Sequence, residues 1–386
     1  MDTSIKKKID ELYLKEFNNN PEAHFSCGGR FEILGNHTDH NHGLCLAATC
    51  DLAIYSAVSK NDEMTVRFVS EGYPASIINL NKLNKSRKDN SSEAMVKGIA
   101  KYLVDHGYKI GGLNATSYST IFAGAGVSSS AAFQLLIGQL FNHFYNNDKI
   151  DMLTLCKAGQ YSENEYFGKK SGLLDQIGVA NGEISYIDFK NIEKPQIIHC
   201  DYPFDDLRFV IVNTGGSHAT LNDLYSSIPM DMYSVANKLG KHFLRECTVE
   251  DIYLSEENLT LREKDRAVHY FTENERVQRA IVALSHKNKA SFLNLINESR
   301  LSSTRLLKNM MVGNQYEGSP LQACDIAMKL MNNEGACKIN GGGFAGSIIC
   351  VVPESKLKGF IDGMSVKYGK KNIREVHVRK TGPCEE

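Results

Sequence analysis

Apolar residues along the first half of the chain gather in compact or alternating runs at 31–34, 52–59, 64–70, 115–121 and 183–189, which predict strands. Between them, 94–104 and 131–144 repeat at helical spacing, and a further helical stretch runs from 151 to 167. The segment Gly168-Lys169-Lys170-Ser171-Gly172 then breaks the pattern as a loop before Leu173. This half reads as α+β. Near 200–206 the acids Asp201, Asp205 and Asp206 and Pro203 precede the continuous run Arg208-Phe209-Val210-Ile211-Val212, a buried strand that opens a new layer. Beyond it Val277, Ile281 and Leu284, then Phe292, Leu295 and Ile296, recur near helical spacing, and a glycine run leads into a last strand at 347–352. Two domains, 1–200 and 201–386, are therefore expected. A length of 386 residues agrees, because single cores stop growing at roughly 250–300. No internal repeat is visible, and the polar stretch 85–92 reads as a loop.

Charge narrows the partners. With 44 Lys and Arg against 45 Asp and Glu, the formal net charge of −1 gives no basic field for nucleic acid or an anionic membrane. The ten cysteines are scattered without a C-x-x-C pair and read as free, mostly buried thiols. Lys6, Lys7 and Lys8 run into Glu11 and Glu16 with no apolar core of a signal peptide, and 131–141 is too short and too polar to span a bilayer. A cytoplasmic protein is expected.

Three segments carry chemistry. Gly124-Ala125-Gly126-Val127-Ser128-Ser129-Ser130-Ala131 puts small residues and consecutive hydroxyls at the start of a helix, where unpaired N–H groups and the positive dipole end favour an anion. The same composition also suits ordinary capping. No Walker loop occurs. The G-x-G-x-x-G at 341–346 is followed by a strand instead of a helix, so it does not open a dinucleotide-binding unit. The second segment, 29–41, packs Arg30, His37 and Asp39 into one glycine-punctuated turn, with donors and acceptors suited to a polyol. His37, His40, His42 and Asp39 match no common zinc spacing. The third pairs Glu163, on a helix and able to hold a metal, with Asp175 after the loop, able to serve as a general base.

Together these segments resemble the galactokinase branch of the GHMP small-molecule kinases. The chain reads Gly29-Arg30-Phe31-Glu32-Ile33-Leu34-Gly35-Asn36-His37-Thr38-Asp39-His40-Asn41 against the signature G-R-x-N-x-I-G-E-H-T-D-Y-N. Residues 126–131 are similar to G-L-S-S-S-A, residues 338–347 to K-x-T-G-A-G-F-G-G-C, and residues 172–176 to G-I-M-D-Q. Arg266-Ala267-Val268-His269-Tyr270 with Glu275-Arg276-Val277 is similar to R-A-x-H-V…E-x-x-R-V. The resemblance spans about residues 20–352 and implies a two-domain α+β GHMP kinase fold with its active site in the interdomain cleft. It also implies transfer of the terminal phosphoryl group of ATP, with Mg2+, to the anomeric hydroxyl of a sugar, galactose first.

By the same resemblance Asp175 accepts or orients the hydroxyl proton and Arg30 steadies negative charge. Gly124, Ala125, Gly126, Val127, Ser128, Ser129 and Ser130 cradle phosphates, Ser130 and Glu163 contact magnesium, and Asn36, His37, Asp39, Gly172 and Tyr225, seven residues after His218, line the sugar pocket. A monomer or weak homodimer is implied. One departure stands out: Asn36 replaces the family's glutamate, which is associated with the hydroxymethyl end of galactose. A sugar altered at its sixth carbon, such as galacturonate, or an amino sugar such as N-acetylgalactosamine is the alternative substrate. A non-catalytic sugar and ATP sensor is disfavoured by the intact Ser128–Ala132 segment. With no tryptophan in the chain, only the stretch 85–94 is offered to adenine.

Overall fold

A computed structural model describes residues 1–86, 91–168, 171–215, 221–255 and 258–386. The chain opens with α1 (Thr3–Phe17), β1 (Ala23–Leu34), β2 (Leu44–Asn61), β3 (Thr65–Ser70), β4 (Ser76–Asn79), α2 (Ser91–Asp105) and β5 (Gly112–Ser119). Then come α3 (Ser129–Asn146), α4 (Met152–Tyr161), a π-helical segment (Ser162–Phe167), α5 (Leu174–Ala180), β6 (Ile184–Asp188) and β7 (Gln196–Cys200). The remainder supplies β8 (Leu207–Asn213), α6 (Asn222–Lys238), α7 (Val249–Leu254), α8 (Leu261–Ser285), α9 (Lys289–Ser302), α10 (Pro320–Leu330), β9 (Ala336–Asn340), β10 (Ser347–Pro353), α11 (Leu357–Tyr368), β11 (Ile373–Val376) and β12 (Cys384–Glu385).

Two sheets organise these elements. The first runs β12-β1-β2-β5-β3-β4, with β6 pairing β2 and β7, and is antiparallel except where β3 lies parallel to β5. The second, β11-β8-β10-β9, is wholly antiparallel. The chain passes from one to the other between Cys200 and Leu207, and its last strand returns to pair with β1, Phe25 facing Glu385. Val96, Leu135, Phe141, Leu155 and Ile177 pack the helices α2 to α5 beneath the first sheet. Phe31, Leu46, Phe209, Val277, Phe292 and Ile349 form a second core that joins both sheets to α8 and α9. This shared core holds β1 against the second half, so the end of β1 opens at the junction.

The runs at 31–34 and 52–59 prove to be the ends of much longer strands. β1 is buried over almost its whole length and β2 at most positions, so polar alternation is missing where both faces are covered. The region 85–92 falls partly outside the described residues, and α2 begins at Ser91. Among the described residues no helix is long and apolar enough to cross a membrane.

Candidate active site

β1 ends at the junction of the sheets and carries Arg30, whose side chain is only 6% exposed. Its Nε and Nη2 donate to Asp175 Oδ1 at 2.9 and 2.6 Å, and its Nη1 donates to the Gly126 carbonyl at 2.7 Å. One guanidinium thus joins the first motif, the serine-rich turn and α5. Asp175 stands in the first turn of α5 and stays 23% exposed, while its Oδ2 accepts from Ser128 Oγ at 2.7 Å. Burial alone lowers the Arg30 pKa, but Asp175 and Glu32 overcome it and hold the guanidinium above its ordinary value.

Ser128 precedes α3 but does not cap it. Its backbone is left-handed (φ 54°, ψ 57°), and its hydroxyl is spent on Asp175 instead of the helix N–H groups. A non-glycine residue held there costs energy and recurs where function needs the geometry. Among its neighbours Gly124 and Gly126 lie against Asn213 of β8 and Ser347 of β10, and Ala125 and Val127 are buried. Ser129 is exposed and Ser130 half-buried at the start of α3, whose first N–H groups have no acceptor within the helix.

The expected sugar-pocket residues divide into two groups. Asp39, 8% exposed, approaches Gly172 so closely that a Cβ on that glycine would lie 2.0 Å from Asp39 Oδ2. The other three are turned onto the triple-glycine turn between β9 and β10. Asn36 Nδ2 donates to the Gly341 carbonyl at 2.7 Å, His37 Nε2 lies 2.8 Å from the Gly342 carbonyl, and Tyr225 Oη donates to the Gly343 carbonyl at 2.7 Å. A carbonyl can only accept, so His37 carries its proton on Nε2 and leaves Nδ1 a buried atom with no hydrogen-bond partner. Burial lowers the His37 pKa to about 3, which keeps the ring neutral. Burial likewise pushes the Tyr225 phenol up. His218 lies outside the described residues.

Glu163 sits in the π-helical segment, 1% exposed, where its Oε2 accepts from Ser171 Oγ at 3.0 Å and Gln176 Nε2 at 3.1 Å. Gln176 also donates to Gln134 of α3 at 3.0 Å, linking α5, α3 and this carboxylate. The donors suit magnesium, a hard cation, because the Ser130 hydroxyl and the Glu163 carboxylate are both oxygen ligands. Among the described residues no three His, Cys, Asp or Glu side chains gather to hold a metal unaided. Magnesium fits such a sparse set, since it keeps water and binds through one or two protein oxygens and the phosphates. Of the stretch 85–94, residues 87–90 lie outside the described set, and Lys85 Nζ donates to the Glu165 carbonyl at 2.8 Å.

The spacing E-x-x-R-V selects Glu273, not Glu275, and the structure agrees. Glu275 is 65% exposed, whereas Glu273 is fully buried and accepts from Gly35 N at 3.0 Å and Ser299 Oγ at 2.7 Å. Burial pushes Glu273 up, but Arg276, His269 and Lys338 outweigh it and hold the carboxyl at about 2. His269 reaches the Asn36 carbonyl through Nε2 at 2.9 Å. Helix α8 thus fixes the backbone of the first motif. Asn309, absent from every motif, donates to Asn36 Oδ1 at 2.8 Å and to the Gly342 carbonyl at 3.0 Å.

Known proteins are similar to this chain in sequence and fold. Residues 11–60 match the galactokinase galactose-binding signature, and residues 94–183 match the GHMP kinase N-terminal domain. The galactokinase of Clostridium tetani is 28% identical over 94% of this chain and 93% of its own length, and that of Streptococcus suis is 28% identical over 94% and 93%. Among solved structures, the Lactococcus lactis galactokinase complexed with galactose superposes with a TM-score of 0.85 at 23% identity, covering 99% of both chains. The Methanococcus jannaschii mevalonate kinase gives 0.65 at 16% identity, over 92% of this chain and 98% of its own. The chain has the fold of the GHMP kinases. Within that class the chain is similar to the galactokinases, whose galactose-binding signature matches the segment bearing Arg30 and Asp39.

Proposed function

We propose that the protein transfers the terminal phosphoryl group of ATP to the anomeric hydroxyl of galactose, giving galactose 1-phosphate and ADP, in the cleft between units 1–200 and 201–386. The observation that carries this reading is the Arg30–Asp175–Ser128 constellation, a partly exposed carboxylate held by a buried cation beside the N-terminus of α3. Galactokinases align with the chain over almost its full length, which makes galactose the first substrate.

Asp175 accepts the proton of the attacking anomeric hydroxyl, or holds that hydroxyl in line, as its oxygen bonds to the terminal phosphorus and the bond to the ADP oxygen breaks. Arg30 fixes the carboxylate and places positive charge beside the transferring group, where negative charge spreads in the transition state. The turn 124–130 offers backbone N–H groups and serine hydroxyls to the phosphates. Ser130 and Glu163 would hold magnesium, which would neutralise charge on the phosphates. Asp39 and the Gly172 backbone receive sugar hydroxyls, with His37 Nδ1 a further acceptor. Phosphoryl transfer asks the protein mainly for position and charge, and these groups supply both.

ATP consumption measured with galactose, galacturonate, glucuronate, N-acetylgalactosamine and arabinose, with the position of the phosphate determined in each product, tests the reading. Galactose 1-phosphate is the expected product. Turnover confined to another sugar would reassign the substrate, and none at all would remove the kinase reading.

A further inference from the structure

Handedness alternates along the serine-rich turn. Gly124, Gly126 and Ser128 have φ of 76°, 70° and 54°, while Ala125 and Val127 between them stay out of the left-handed region. Such alternation turns successive backbone N–H groups to one side, in a concavity suited to an anion. Among the described residues, the N–H groups of Val127 and Ser128 meet no acceptor.

The direction of these two groups is fixed from behind. In a trans peptide the C=O and the N–H point opposite ways, so the Gly126 carbonyl aims the Val127 N–H and the Val127 carbonyl aims that of Ser128. The Val127 carbonyl accepts from Arg30 N at 2.9 Å. The Gly126 carbonyl accepts from two side chains, Arg30 Nη1 at 2.7 Å and Asn340 Nδ2 at 3.1 Å. All of these donors belong to Arg30 of β1 and Asn340 of β9, so both N–H groups face away from those strands.

Asn340 ends β9 and is 5% exposed. Its Oδ1 accepts from Glu32 N of β1 at 3.1 Å, and its Nδ2 also donates to Ser347 Oγ of β10 at 3.3 Å. One amide therefore ties the first sheet, the second sheet and the turn. Its orientation follows from its partners, because a backbone N–H can only donate and the Gly126 carbonyl can only accept. The pattern K-x-T-G-A-G-F-G-G-C has threonine at position 340 and cysteine at 347, so this bridge and its serine acceptor are the chain's own. A threonine hydroxyl carries one hydrogen, where the amide carries two and uses both.

We propose that Asn340 is a positioning residue for phosphoryl transfer, sharing the Gly126 carbonyl with Arg30 and so keeping the Val127 and Ser128 N–H groups turned to the phosphates of ATP. This rests on the kinase reading above and adds a residue of the second sheet to the phosphate side. Arg30 holds the same carbonyl while it pairs with Asp175, so a turn that slips at Gly126 disturbs the reacting pair as well.

The full-length wild type, N340T and N340V are compared by calorimetric affinity for ADP with Mg2+, by the KM values for ATP and galactose, and by thermal unfolding midpoint. Threonine and valine share one shape and differ in a hydroxyl. N340V is expected to bind ADP about tenfold more weakly and to raise the KM for ATP alike, the worth of one hydrogen bond. Its KM for galactose should stay within about twofold, since only the phosphate side loses a contact. N340T should lie within about threefold of wild type for ADP, because its hydroxyl returns one donor to the Gly126 carbonyl. Should N340V not fold, amide exchange of the wild type decides: the Val127 and Ser128 amides should exchange fast alone and at least about tenfold more slowly with ADP and Mg2+. Equal ADP affinity in N340T and N340V, or unchanged exchange at Val127 and Ser128 in a protein that binds ADP, overturns the role of Asn340 and leaves the kinase reading standing. A wild type that binds no ADP overturns the kinase reading and this role with it.

Discussion

Arg30 and Asp175 are 145 residues apart in the chain and 2.6 Å apart in the structure. The guanidinium is buried on β1 and the carboxylate stays partly exposed, so the cation holds the carboxylate from the protein side. Asp175→Asn keeps the shape but removes the proton acceptor and weakens the pairing with Arg30. The expected loss in kcat is about 10²–10⁴, the usual range for a positioned acid or base, with the KM for ATP little changed. Steady-state kinetics check it, and a variant with nearly wild-type turnover would show that Asp175 does no more than hold Arg30. Stability should fall by roughly 1–3 kcal/mol, less than for a fully buried pair because solvent reaches the carboxylate.

Acid should unfold the protein through His37 and Glu273. Folded His37 stays neutral down to about pH 3, while the unfolded ring protonates near 6.5, so the unfolded state binds more protons between these values. Its contribution is complete above about pH 6.5 and is lost as the pH falls towards 3. Glu273 behaves alike at lower pH, ionised in the fold down to about 2 against 4.5 unfolded. A tenfold difference in proton affinity between the folded and unfolded states is worth about 1.4 kcal/mol, so the combined loss amounts to several kcal/mol. Urea unfolding of the wild type and His37→Asn at about pH 7.5, 6 and 4.5, a series that brackets the unfolded histidine's titration, measures it. The variant should lose less stability over that range, and parallel curves would show that His37 is not the group responsible.

The ten cysteines give a simple count. Eight are buried, and only Cys200 and Cys384 are partly exposed. A thiol reagent should modify two groups in the native protein and all ten after denaturation without reductant, since none is paired. Burial raises the Cys200 thiol, so its reaction should accelerate with pH. Rapid labelling of more than two thiols would mean that the core opens more readily than its packing suggests.

Much of this site is legible in the sequence because its residues lie in short segments where glycine, serine and charge coincide. The signature around Arg30, the serine-rich turn and Gly172–Gln176 each stand out, and β1, α3 and α5 bring them together. What escapes has reasons in the packing. β2 is 18 residues long, yet only 52–59 reads as a strand, because its earlier part is buried on both faces and small. The helix α1 buries only Ile9 and Tyr13 among charged neighbours, although the spacing of Ile5, Ile9 and Tyr13 is the signal that would reveal it. Glu275 adjoins Arg276 in sequence and so draws the eye from Glu273, but a 3.6-residue period turns it to solvent. Asn309 belongs to no local pattern, and only the fold brings it to Asn36.

Gly172 offers a test of the proposed sugar side that leaves the proposed phosphate side alone. Its φ lies outside the left-handed range, so alanine meets no backbone strain there. The added Cβ would instead fall 2.0 Å from Asp39 Oδ2, and Asp39 is too buried to swing into solvent. Either the carboxylate or the loop before α5 must shift by about 1 Å, a displacement that can cost roughly 10² in a positioned reaction. Gly172→Ala is therefore expected to lower kcat/KM for galactose about 100-fold, with the KM for ATP close to wild type and the unfolding midpoint lowered by the buried clash. Kinetics with each substrate varied in turn separate these effects. If the KM for ATP rises as much as that for galactose, Gly172 and Asp39 do not form the sugar side, and the hydroxyls must be received elsewhere in the cleft.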